Sequence, residues 1–173
     1  MAALSRSRRS AAGIAFIVGG ALMLLGIILG YAAINFGNVI SFLANLAIAV
    51  GFFVLALGSV ANRVAQVALF VAAAGWALMA LGAVVALPSG IGTLAAVAAA
   101  VGGVVGAVVL YRGKEITDRS AIAFIVTTAI AALLLLAAVA ALSLAGLYLV
   151  LSIALGAGFI ITGPLFREVI RNR

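Results

Sequence analysis

The chain of 173 residues has no cysteine, no histidine, three acidic residues and two prolines. Without cysteine there is no disulfide, no thiolate nucleophile and no thiolate metal site. Without histidine, the side chain most often used for proton transfer near neutral pH is missing. The acids Glu115, Asp118 and Glu168 all lie close to arginines, so the long apolar stretches carry no carboxylate. Intramembrane proteolysis needs a Ser–His pair, paired aspartates or a metal, and proton-coupled transport usually needs a membrane-embedded acid or histidine. The sequence therefore predicts no enzyme: no catalytic residue, no cofactor-binding residue and no metal ligand.

Charge is also scarce, at 8% of residues against 68% hydrophobic. A water-soluble fold of this length needs more polar surface than that. Lipid is then the solvent, every backbone N–H and C=O must be paired internally, and only helices or closed barrels qualify. Long Ala, Leu, Val and Ile runs without strict alternation select helices.

Crossing a hydrocarbon core of about 30 Å takes roughly 20 helical residues. Six segments have that length: 11–34, 39–60, 64–86, 91–111, 121–142 and 144–166. The expected fold is all-α, one transmembrane domain over 1–173 with six helices in three hairpins and no soluble domain. Ser10 is placed to cap the first helix, and Asp118 or Ser120 the fifth. The stretch Leu142-Ser143-Leu144-Ala145-Gly146 offers the least turn chemistry; without a turn there the count is five. Pro164 is expected to end or kink the sixth helix.

The basic residues choose six. With the N-terminus inside, Arg6, Arg8, Arg9, Arg63, Arg112, Lys114, Arg119, Arg167, Arg171 and Arg173 all fall on the cytoplasmic side, whereas five spans would export the last three. Both termini are then cytoplasmic in a multi-pass protein of the cell membrane. These cations also meet anionic headgroups, at about 1 kcal/mol each. The bilayer is thus the expected partner and nucleic acid is not. The first apolar run, of about 24 residues, exceeds the roughly 7–15 of a cleaved leader, so it reads as a retained anchor.

An internal repeat accompanies the charges. Arg9 precedes Ile14-Ala15-Phe16-Ile17-Val18, Arg63 precedes Leu69-Phe70-Val71, and Arg119 precedes Ile122-Ala123-Phe124-Ile125-Val126. Glycines seven apart, Gly19 and Gly26, Gly51 and Gly58, Gly75 and Gly82, Gly156 and Gly163, mark helix faces that admit a neighbour's backbone. Gly26-x-x-x-Gly30 and Gly102-x-x-x-Gly106 give the same spacing in one turn. Polar side chains inside the spans are few. Asn45, Trp76, Thr127 and Thr128 are the candidates for ligand or interhelical contacts, beside Gln66 in the third segment and Ser152 and Thr162 in the sixth.

The run Gly75-Trp76-Ala77-Leu78-Met79-Ala80-Leu81-Gly82-Ala83-Val84-Val85-Ala86-Leu87-Pro88, followed by Gly102-Gly103-Val104-Val105-Gly106 and Tyr111-Arg112, resembles the short-repeat six-helix proteins typified by the acid-resistance membrane protein HdeD. The resemblance covers about 64–114. It implies topology and a link to acid stress, with no catalytic residues. Two functions follow. One is a structural, stress-related or accessory subunit packing on itself or another membrane protein through Gly/Ala stripes. The other is a small-solute permease, or the membrane-embedded substrate-binding subunit of an uptake system, with a weakly polar cavity near Asn45, Trp76 and Thr127; Ala11-x-x-x-Ala15-x-x-x-Gly19 would then dock its other subunits. Convergence of Asn45 and Trp76 on one pocket favours a small-molecule ligand, and their burial at tight helix crossings favours scaffolding.

Overall fold

The structure is a computed structural model and describes residues 5–31, 37–59, 62–139 and 145–167. These residues form six helices and no strand: α1 (Arg6–Tyr31), α2 (Gly37–Gly58), α3 (Arg63–Val84), α4 (Ser89–Arg112), α5 (Asp118–Val139) and α6 (Ala145–Leu165). Over the described residues α1 to α4 and α6 are long and apolar enough to cross a membrane.

The helix starts differ from the expected ones for local reasons. α1 begins at Arg6, since Arg is a good helix former, and Ser5 stands at its cap, its Oγ accepting a long 3.5 Å bond from Arg8 N–H. Ser10 therefore lies inside the helix and is not its cap. At α5 the cap is Thr117, whose Oγ1 accepts from Ser120 N–H at 3.2 Å. Neither Asp118 nor Ser120 holds that place, because both already lie in the helix. Asn62 caps α3, its side chain accepting from Ala65 N–H at 3.2 Å.

Helix ends are explained as directly. α4 closes with Lys114 N–H on the Tyr111 carbonyl at 3.0 Å and Glu115 N–H on the Leu110 carbonyl at 3.1 Å, with Lys114 in the left-handed region at φ 53°. This is a Schellman closure with a lysine where glycine is usual. Pro164 sits one residue before the end of α6, so it terminates that helix and does not kink its middle. The stretch 142–144 lies outside the described residues, but α5 and α6 are separate elements.

Close contacts give the directions. Gly13 meets Gly163 and Gly20 meets Gly156, so α1 and α6 run oppositely. Gly19 meets Ala44 and Ile48, and Gly26 meets Ile40, which reverses α2 against α1. Gly75 meets Ala95 and Ala99 while Gly102 meets Ala68 and Ala72, reversing α4 against α3. Phe53 meets Phe70 between α2 and α3, Gly103 meets Thr128 between α4 and α5, and Thr127 meets Thr162 between α5 and α6. Each helix packs on its chain neighbours, and α6 closes on α1. The result is an up-and-down ring of six. The contacts of α5 with α4 and α6 are the least extensive in it.

The core lies on the axis of that ring. Phe16, Phe52, Phe124, Phe159 and Phe166 are all sealed from the surface. Phe16 is the hub, with ring centroids 5.3 Å from Phe52, 5.5 Å from Phe124, 5.3 Å from Phe159 and 5.9 Å from Phe166. Aromatic pairs at such spacings contribute about 0.5–1.5 kcal/mol each beyond their area. In lipid, where apolar transfer drives no helix together, dispersion of this kind carries the packing. Large apolar side chains such as Ile28, Leu94, Val150 and Ile161 point outward instead.

Candidate functional site

The ring is plugged in one half and hollow in the other, and the cause is side-chain size. The phenylalanines stand towards the half where α1, α3 and α5 begin. In the opposite half Gly26, Ala44, Ala96, Ala99, Ala100, Ala131 and Ser152 stand among the lining residues, and these small side chains leave the space between the larger ones unfilled. Two adjoining spaces remain. One, of about 300 Å³, is bordered by Trp76 and Met79 from α3, Ala96, Ala99 and Ala100 from α4, Ala131 and Leu134 from α5, and Tyr148, Ser152 and Leu155 from α6. The other, of about 270 Å³, is bordered by Leu22, Met23, Gly26 and Ile27 from α1, Ser41, Ala44 and Asn45 from α2, and again Leu134 and Ser152. Ser152, Gly26 and Ile27 also border a third space between α1 and α6, beside Gly30, Tyr148 and Leu149. Ser152 is the common wall of all three.

Trp76 joins cavity to plug. Its ring stands edge-on to Phe159 with centroids 5.8 Å apart, and only 3% of the residue is exposed. The polar side chains around the hollow are Ser41, Asn45, Trp76, Tyr148 and Ser152, and within the described residues none of them enters a hydrogen bond. The indole N–H has no hydrogen-bond partner among the described residues, and Trp76 borders the first of the spaces. Of these five only Trp76 is buried; Asn45, Tyr148 and Ser152 are half-buried and Ser41 is exposed, so their polar atoms are open to a ligand or to water. No formal charge stands among these lining residues.

The two threonines behave differently. Thr127 donates to the Ala123 carbonyl at 2.8 Å and lies 3.1 Å from the Thr162 hydroxyl. Thr128 is bonded to the Phe124 carbonyl at 2.9 Å. Both are buried in the core below the hollow with their hydroxyls satisfied by their own helix, as hydroxyls in such helices usually are. Of these candidates, Trp76 borders one space and Asn45 the adjoining one, with Leu134 and Ser152 between them, so the two do not converge on a single pocket; Thr127 and Thr128 border neither. Sequence reasoning named Ser152 but missed Ser41 and Tyr148; a signal for the latter existed in Tyr148-x-x-x-Ser152, which puts both on one helix face.

The glycines divide in the same way. Gly75 and Gly102 sit against α3/α4 backbone, where an added Cβ at Gly75 would come within 2.5 Å of the Ala95 carbonyl. Gly106 lies on Leu69, and Gly51 receives the Phe16 ring. Gly156 and Gly163 meet α1, but through Gly20 and Gly13, a seven-residue pair that sequence reasoning passed over in favour of Gly19 and Gly26. Gly82 meets only Leu87 of its own chain end, and Gly30 has open space where a Cβ would stand. Gly58 is half-buried at the end of α2.

The plugged end is closed by polar contacts. Arg8 donates from Nη1 to the Leu57 carbonyl at the end of α2, and Ser59 Oγ donates to the Leu55 carbonyl at 3.0 Å. Ser120 Oγ donates to the Leu165 carbonyl at 2.7 Å, fastening α5 to the end of α6. Glu115 is buried in this layer; burial pushes its carboxyl above the ordinary value, and the Asn62 and Ser59 side chains beside it pull the other way. Arg6, Arg63, Arg112, Lys114, Arg119 and Arg167 are exposed at this end and Arg9 is buried there, while Arg171 and Arg173 lie outside the described residues. Comparison with known protein families, with curated proteins and with solved structures finds no match to this chain.

Proposed function

We propose that the chain is a multi-pass protein of the cell membrane that binds a small uncharged molecule in the hollow half of its ring, as a permease or as the membrane-embedded binding subunit of an uptake system. The observation that carries this reading is a pair of adjoining, largely apolar spaces with Ser152 as their common wall, Trp76 bordering one and Asn45 the other, and none of the three side chains entering a hydrogen bond among the described residues. Volumes near 300 Å³ are at the lower bound of small-molecule sites, and a few unengaged polar groups on an apolar wall are what such sites use for orientation. The polar set holds no carboxylate, no histidine and no cation, so the reading is binding without chemistry.

Sidedness follows from charge. Arg6, Arg63 and Arg119 stand in the first turns of α1, α3 and α5, where the helix dipole disfavours cations. Helix stability does not account for that placement, whereas retention of basic residues in the cytoplasm does. On this reading α5, with 22 residues between α4 and α6 in the ring, is the sixth span. The plug and Glu115 are then cytoplasmic, both termini lie inside, and the hollow faces outward.

The accessory-subunit reading has one observation of its own, a groove of about 360 Å³ between α2 and α3 bordered by Leu46, Val50, Phe53, Phe70, Ala74 and Ala77. Against it, Gly13, Gly20, Gly75, Gly102, Gly156 and Gly163 are already occupied by neighbours within the chain. Native mass spectrometry on protein extracted from its own membrane separates the two. The binding reading predicts a small molecule at one per chain, lost in Asn45→Leu and Ser152→Leu while both variants keep their folded mass distribution. A homo-oligomer or co-purifying subunit with lipid alone would contradict it.

A further inference from the structure

We propose that the ligand carries a carbonyl- or ether-type oxygen on an otherwise apolar, uncharged body, and that this oxygen is recognised by the indole N–H of Trp76. The proposal rests on the reading of the hollow as a binding site and adds the chemistry that the site selects.

Three observations converge on it. First, an indole N–H is a donor and nothing else, so its complement has to be an acceptor. Trp76 is 97% covered by protein, its ring is fixed edge-on against Phe159 at 5.8 Å, it borders the first space, and its indole enters no hydrogen bond among the described residues. A donor held in one direction by packing selects for an acceptor at one place. Second, most of the wall of that space is apolar, with Met79, Ala99, Ala100, Leu134 and Leu155 offering dispersion and no hydrogen bond, and Tyr148 and Ser152 are its other polar side chains. The ligand's body there has to be apolar, and thioethers such as Met79 adapt to several shapes. Third, no Asp, Glu, Lys, Arg or His lines either space, so a charged ligand would enter with its desolvation uncompensated. Tyr148 and Ser152 in the same space and Asn45 in the adjoining one both donate and accept, so they tolerate either kind of polar group and do not narrow the class.

The chain has a single tryptophan, which makes the test direct. Protein labelled with 15N-tryptophan and held in nanodiscs gives one indole N–H resonance. It is titrated with acetophenone, which has the acceptor, with ethylbenzene, its hydrocarbon counterpart, and with benzoate, its charged counterpart. Acetophenone is expected to move the indole proton downfield in a saturable way. Ethylbenzene should bind about tenfold more weakly without a downfield shift, and benzoate should give no saturable change. Trp76→Phe keeps an aromatic ring and removes the donor; by ligand-observed NMR its acetophenone affinity is expected to fall about tenfold, to that of ethylbenzene. If acetophenone and ethylbenzene bind equally and both are lost in Ser152→Leu, the hollow is a site but the acceptor rule is wrong. If no probe binds saturably, or Ser152→Leu changes nothing, the reading of the hollow as a site fails with it.

Discussion

Glu115 is a carboxylate placed where water does not reach it well, and its energetics run opposite to those of an ordinary surface acid. Burial raises its folded-state value, so the folded protein binds a proton more tightly than the unfolded chain. Stability from this group is then complete below the ordinary glutamate value near 4.5 and declines as pH rises through the raised one. Glu115→Gln keeps the shape and the contacts to Asn62 and Ser59 while removing the titration. Thermal unfolding in detergent should show the variant equal to the parent at pH 4 and more stable at pH 7. A parent more stable than the variant at pH 7 would mean that the ionised form is compensated, by a cation or by water. This property was not legible in the sequence, where Glu115 is one charge among several in a loop. Its burial comes from the closure that follows α4, which turns Lys114 to positive φ and carries Glu115 back towards Ser59 and Asn62.

At the scale of the helices the sequence was most informative where hydropathy decides. Six apolar runs became six helices, because in lipid the backbone has no other way to pair its polar groups. The ends were less legible: capping depends on single hydroxyls, and Ser5 and Thr117 took the places expected for Ser10 and for Asp118 or Ser120. The seam between α1 and α6 shows why spacing alone is not enough. Gly19 and Gly26 have the same separation as Gly13 and Gly20, yet only the second pair meets glycine on α6, while the first turns towards α2. Which face is used depends on the neighbour, and the neighbour lies about 140 residues away in the chain. The seam predicts a sharp contrast between two glycines. A leucine at Gly163 would drive its Cβ to 2.5 Å from the Gly13 carbonyl, so Gly163→Leu should cost about 1–3 kcal/mol or more. Gly30→Leu, with open space at that position, should stay within about 0.5 kcal/mol. Chemical unfolding of both variants in one detergent checks this, and equal losses would contradict the packing described for α1.

The whole molecule divides into a sealed half and a hollow half, and that division was the least legible feature. Nothing in the linear order says that Phe16, Phe52, Phe124 and Phe159 meet on one axis, though the first and third copies of the Ile-Ala-Phe-Ile-Val segment supply two of them. In the second copy Leu69 is buried and the phenylalanine, Phe70, turns outward to Phe53, so the repeat does not extend evenly through the core. Small residues opposite one another leave the hollow, and their effect appears only once six helices are assembled. The central claim is that this hollow is reached from outside and ends at the aromatic plug. The absence of native cysteine allows it to be measured by single-cysteine accessibility in intact cells. Ser152 stands seven residues into α6, about 10 Å along the helix from its start. Ser152→Cys should react with a small membrane-impermeant thiol reagent added outside, while Thr162→Cys, sealed beneath the hollow, should react from neither side. Modification of Ser152→Cys from the cytoplasmic face alone, or equal labelling of the two cysteines, would contradict the account.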